Sequence, residues 1–125
     1  MGLDVRKVAL KFETMVYLVP LFGHTLGHCG VAISEGERWI FYVGDAYYLR
    51  AELSNESHPV TELVALRAED NSQRLKSLDK IRNVFRKHAG TVEVFGYHDP
   101  SEFPVNNNNS VLNFTQKKTT PPNDL

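Results

Sequence analysis

Histidines and carboxylates stand where apolar runs give out at three places along this chain. Gly23-His24-Thr25-Leu26-Gly27-His28 follows the apolar run from Met15 to Phe22. Gly44-Asp45 ends the run from Trp39 to Val43, and Gly96-Tyr97-His98-Asp99 ends the run that starts at Thr91. Neutral imidazole suits zinc, iron and related ions, and a carboxylate can bridge two of them. Rigid strands that hold such ligands at their ends, beside loops that leave one side open, make a metal site. Two ions about 3.5–4 Å apart can share a hydroxide and polarise a scissile carbonyl or phosphoryl group, which is hydrolytic chemistry. Other routes to hydrolysis lack their residues. There is no Gly-x-Ser-x-Gly elbow and no Gly-Lys-Ser/Thr phosphate loop. Cys29, the single cysteine, leads straight into an apolar run, a poor place for an exposed nucleophile. Plainer roles suit the remaining polar residues: a structural or solvated His58, a helix-end His88, a turn at Asp99, and solvated helix charges at Glu62, Glu69 and Asp70.

The elements that must position these residues can be read from hydrophobic patterning. Residues 5–12 suggest a strand or a short amphipathic segment. Met15–Phe22 reads as a buried strand, with Pro20 marking its end or a sheet edge. Gly23–Gly27 is a loop. Cys29–Ser34 and Trp39–Val43 form a hairpin about the Ser34–Glu37 turn. Ser57 and Pro59 are placed to start a short helix that carries Leu63, Val64 and Leu66. A longer helix is predicted over 72–87, where Leu75, Leu78, Ile81, Val84 and Phe85 recur at helical spacing. Gly90 stands as its C′ residue. Thr91–Tyr97 is the last strand. Neither Val16–Phe22 nor Trp39–Val43 alternates apolar with polar residues, so both faces of the sheet must be covered. The adjacent helices supply one cover, and the sequence offers nothing for the other.

The 125 residues suffice for one modest domain with a core. The formal net charge of −1 gives no electrostatic reason for a nucleic-acid or anionic-membrane partner. No apolar run approaches the roughly 18 residues that span a bilayer. With one cysteine, neither an intrachain disulfide nor a Cys-type zinc site can form. A free thiol and no recognisable signal peptide point to the cytoplasm.

A Gly-His-x-x-Gly-His segment, a strand ending in Gly-Asp and a later strand ending in His-Asp resemble the C-terminal half of the metallo-β-lactamase-fold metallo-hydrolases. The resemblance runs from about Val16 to Phe103. It implies an α/β chain, one mostly antiparallel sheet covered by helices, as half of an αββα sandwich. It also implies that His28 and His98 each bind one metal ion, that Asp45 bridges the two, and that the ions are zinc. His24 matches the non-ligating histidine of the motif. Tyr48 matches a tyrosine that positions substrate or polarises its carbonyl in some lactonases of this superfamily, which makes Asp45 and Tyr48 the catalytic candidates. The His-x-His-x-Asp-His segment that supplies the other ligands in that family is absent from these residues.

The expected organisation is a partial domain over 1–104 and a disordered Asn/Pro-rich tail over 105–125, where apolar residues are too few to offset ordering entropy. The expected function is metal-dependent hydrolysis of a small ester, lactone or thioester-like substrate. With two protein ligands per ion, the chain alone is an incomplete site. Two alternatives stand beside this reading: a half-enzyme completed by a second chain, and a non-catalytic remnant or interaction domain. An uncovered apolar sheet face would favour self-association.

Overall fold

A computed structural model describes residues 4–9 and 14–103. The tail expected to be disordered, and residues 10–12 of the first expected segment, lie outside the described residues. Five strands form one sheet in the order β1 (Arg6–Val8), β2 (Val16–Pro20), β3 (Cys29–Glu35), β4 (Arg38–Tyr42) and β5 (Val92–Phe95). The first three pairings are antiparallel and β4 pairs with β5 in parallel. A parallel neighbour needs a long crossover. Here the crossover carries the helices α1 (Val60–Arg67) and α2 (Asn71–Lys87). The expected α/β architecture and mostly antiparallel sheet are both present.

The topology brings the three chemical segments to one rim. Strands β2, β4 and β5 run the same way and β3 runs against them. The ends of β2, β4 and β5 and the start of β3 therefore share one edge of the sheet. Backbone bonds hold it together: Leu21 N–H to His28 O (2.9 Å), Val43 N–H to Phe95 O (2.9 Å) and Tyr97 N–H to Gly44 O (3.2 Å).

The strand register sorts the side chains into two faces. Val19, Phe41 and Val94 belong to one face and join Leu21, Val43, Leu78 and Ile81 in the core. Leu78 and Ile81 of α2 are fully buried, each stabilising by about 1.5–3 kcal/mol. Leu75, expected on the same stripe, is 37% exposed. The other face carries Val8, Val16, Ile33 and Ile40 in one row, and Leu18, Val31, Tyr42 and Phe95 in the next. None of these eight is buried, and Leu18 is 41% exposed. The lack of alternation in the strands thus corresponds to an apolar face with no comparable core on it among the described residues.

Several local expectations need correction. Ser57 does not cap α1, whose first turn follows Pro59 without a side-chain cap. Asp70 caps α2 by accepting the Gln73 N–H (2.9 Å), so it is not a merely solvated charge. Glu69 likewise accepts the Leu26 N–H (2.6 Å) across the loop. Gly90 is not a left-handed C′ residue. The helix ends at His88, whose N–H bonds Val84 O. Among the described residues no helix is long and apolar enough to cross a membrane.

Candidate metal centre

His28 lies just before β3. Its Nδ1 is 2.8 Å from the Leu21 carbonyl oxygen. A carbonyl only accepts, so Nδ1 carries the proton and Nε2 keeps its lone pair, as a metal-binding imidazole requires. That Nε2 accepts the backbone N–H of Asp45 at 3.2 Å. The approach depends on Gly44, whose φ is +55°. A Cβ there would stand 2.9 Å from His28 Nε2.

Asp45 follows on a single 3₁₀ turn. Its two oxygens face different histidines: Oδ1 is 3.0 Å from His98 Nε2 and Oδ2 is 3.6 Å from His24 Nε2. Despite the short distance, the His98 contact lacks hydrogen-bond geometry, and Oδ1 is a buried acceptor with no hydrogen-bond partner. Two donors bound tetrahedrally to one ion at 2.0–2.1 Å lie roughly 3.3 Å apart. The Asp45–His98 spacing therefore suits two ligands aimed at a common ion better than it suits a hydrogen bond.

His98 sits in the loop after β5. Its ring lies 4.2 Å from that of Tyr48 and 5.0 Å from that of the exposed Tyr97. His24 packs edge-on to His28 at 5.8 Å and against Tyr48 at 6.4 Å. Its Nδ1 is buried without a partner. The Tyr42 phenol is raised above its ordinary range by burial, then by the nearby Asp45 charge and Tyr97. Asp99 caps the turn at Pro100–Glu102. The Ser101 hydroxyl holds its carboxyl below the usual range against the opposing effect of desolvation, and the backbone N–H groups of Arg50 and Ser101 assist.

The structure thus gathers His28, Asp45, Tyr48 and His98 at one rim, with one change from expectation. The carboxylate of Asp45 faces His24 and His98, while His28 faces the Asp45 backbone. Among the described residues no group of three or more His, Cys, Asp or Glu side chains is arranged to hold a metal ion. The donor types, the orphaned Oδ1 and the fixed His28 tautomer fit part of a metal site rather than a closed one.

Two carboxylates behind the rim escaped sequence reasoning. Glu52 is fully buried; it accepts the N–H groups of Tyr48 (2.8 Å) and Leu49 (3.2 Å) and the Thr61 hydroxyl (2.9 Å). Glu102 accepts the Tyr47 hydroxyl, 55 positions away, at 2.7 Å. Burial and then that bond raise the Tyr47 phenol far above its ordinary value. The Tyr47 and Arg50 partners of Glu102 lie some fifty positions away and leave no local pattern, whereas Glu52 bonds backbone N–H groups three and four positions before it, a contact that any residue type there could offer.

No family model matches the chain. A probable metallo-hydrolase of Mycobacterium bovis is 40% identical over 88 residues, covering 70% of this chain and 26% of its own length. A probable metallo-hydrolase of Mycobacterium tuberculosis matches to the same extent. Among solved structures, an N-acyl homoserine lactone hydrolase with N-hexanoyl-L-homoserine bound at its catalytic metal centre superposes with a TM-score of 0.55. The identity is 21%, over 78% of this chain and 34% of that one. A quorum-quenching N-acyl homoserine lactone lactonase gives 0.52 at 22% identity, over 71% of this chain and 34% of that one. The chain spans about a quarter of the curated relatives and about a third of the lactonases.

Proposed function

We propose that this chain, which has the metallo-β-lactamase fold and is related in sequence to probable metallo-hydrolases, carries one half of a dinuclear metal-dependent hydrolase site. The observation that carries the reading is Asp45 Oδ1, buried without a hydrogen bond 3.0 Å from His98 Nε2, on a residue whose backbone N–H stands 3.2 Å from His28 Nε2. His28 Nε2 and His98 Nε2 would each hold one divalent ion, zinc on the family resemblance among the several ions such donors accept, and the Asp45 carboxylate would be shared between them. When bound, the pair of ions supplies a hydroxide at neutral pH and polarises the scissile group. The Leu21 carbonyl keeps His28 in the ligating tautomer. Tyr48, whose ring lies 4.2 Å from that of His98, would orient a substrate carbonyl through its hydroxyl. The substrate is a small ester, lactone or thioester-like molecule, with neither nucleic acid nor membrane as partner. The lactonase neighbours support the lactone member of that set. One free thiol, Cys29, suits a cytoplasmic setting.

The remaining ligands come, in this reading, from polypeptide outside these 125 residues, in the same protein or a second chain. The absence of a three-donor group among the described residues supports that division, and the open apolar face leaves room for the missing layer. The same two observations favour the second reading, a non-catalytic interaction domain that keeps the fold. Metal binding separates them. Under-liganded sites bind weakly, so the purified chain should hold less than about one tight ion. On the hydrolase reading the residual weak zinc binding vanishes in Asp45→Asn and His98→Ala. Residual binding unchanged in both variants contradicts it, and two tightly held ions would overturn the half-site division. A His-x-His-x-Asp-His segment encoded in frame upstream, or by a neighbouring gene, would tell the two sources of the missing ligands apart.

A further inference from the structure

Glu102 takes no part in the chemistry proposed above, yet its carboxylate is 1% exposed. Its Oε1 accepts the Tyr47 hydroxyl (2.7 Å) and Arg50 Nη1 (2.8 Å), and its Oε2 accepts the Gly96 N–H (2.7 Å). These partners belong to two stretches that are remote in sequence. Tyr47 and Arg50 closely follow Asp45, whereas Gly96 closely precedes His98. Asp99 repeats the link, its Oδ2 accepting the Arg50 N–H at 2.8 Å. Arg50 Nη1 also donates to the Val94 carbonyl at the end of β5 (2.9 Å). Gly96 lies so close to the Tyr47 ring that a Cβ would stand 2.8 Å from Cε2.

Burying a carboxylate costs several kcal/mol before its partners are counted, and an apolar replacement of similar volume is often as stable. A buried carboxylate with three directed bonds fixes geometry in a way that apolar packing does not. We propose that Glu102 is a positioning residue: it fastens the 96–102 loop to the segment after Asp45, so that the His98 ring stands at the Asp45 carboxylate before any ion arrives. The inference rests on the proposed function only for what that placement serves. The placement itself is read without metal.

The His98 and Tyr48 rings, 4.2 Å apart, provide the readout. In proton NMR of the metal-free chain, Tyr48 displaces the His98 ring shifts from their random-coil values, and the two rings give cross-peaks. Glu102→Gln leaves too few acceptor lone pairs for all three donors; it should lose those cross-peaks and most of the displacement. Tyr47→Phe removes one donor and should lose part of both. Val64→Ala, a cavity in α1 at a fully buried position, is the control. It lowers stability and should leave the His98 signals unchanged. If Glu102→Gln fails to fold, Tyr47→Phe decides alone. His98 signals that stay at wild-type values in every folded variant of the pair overturn the proposal. So does an equal loss of displacement in the Val64→Ala control. Failure of the hydrolase reading would appear in metal binding and leave these signals as predicted.

Discussion

At the residue scale, His28 and Asp45 are coupled through a glycine. Gly44 adopts φ +55° and lets the Asp45 N–H reach His28 Nε2. An alanine there would carry the left-handed backbone penalty of roughly 1–2 kcal/mol, and its Cβ would press on the ring. Gly44→Ala should therefore lower unfolding stability by at least that amount in chemical denaturation and shift the His28 ring signals. Unchanged stability would mean the turn has an alternative geometry. The order of the three motifs and the offset of Tyr48 made His28, Asp45, Tyr48 and His98 legible in the sequence, and they do meet. The facing of His24 toward the Asp45 carboxylate was not legible, because ring orientation is set by packing against Tyr48 and His28.

At the scale of elements, the crossover between β4 and β5 turns on Glu52. Its carboxylate satisfies two backbone N–H groups and the Thr61 hydroxyl. The buried guanidinium of Arg82 donates to its main-chain carbonyl (2.9 Å). Arg74, also buried, is lowered by desolvation against the opposing pull of the Glu52 charge. Both arginines keep guanidinium nitrogens with no hydrogen-bond partner. Arg82 keeps Asp79 as its charge partner (2.9 Å). Removing the Glu52 carboxylate would leave the Tyr48 and Leu49 N–H groups and the Thr61 hydroxyl without their acceptor and take away the charge that opposes the desolvation of Arg74, so Glu52→Ala should destabilise by about 1–3 kcal/mol in equilibrium denaturation. An unchanged midpoint would show that other groups take over those bonds. The long helix was readable because α2 repeats its apolar stripe over about three turns. Its ends were not. Asp70 outcompetes Ser72 as the α2 start by reaching the Gln73 N–H. Gly90 is bypassed because the Thr91 and Val92 N–H groups bond the His88 carbonyl.

At the scale of the molecule, the two faces of the sheet differ in kind. One packs against α2 over Phe41 and Val94 and keeps an open cavity of about 660 Å³ beside Tyr17, Trp39 and Val84. The other presents eight apolar side chains, none buried, a patch of the sort that marks an interface. The strand sequences announced this face by failing to alternate, although they could not say what covers it. We expect the chain to bind a hydrophobic dye strongly or to self-associate through this face. A soluble monomer with no dye response would count against an open apolar layer.

The convergence of His28, Asp45 and His98 on metal is the claim on which the rest depends. Zinc-edge anomalous diffraction from crystals of the chain in excess zinc tests it most directly. The account predicts an anomalous peak within bonding distance of Asp45 Oδ1 and His98 Nε2. Zinc bound only elsewhere on the surface, with Asp45 and His98 bare, would contradict it.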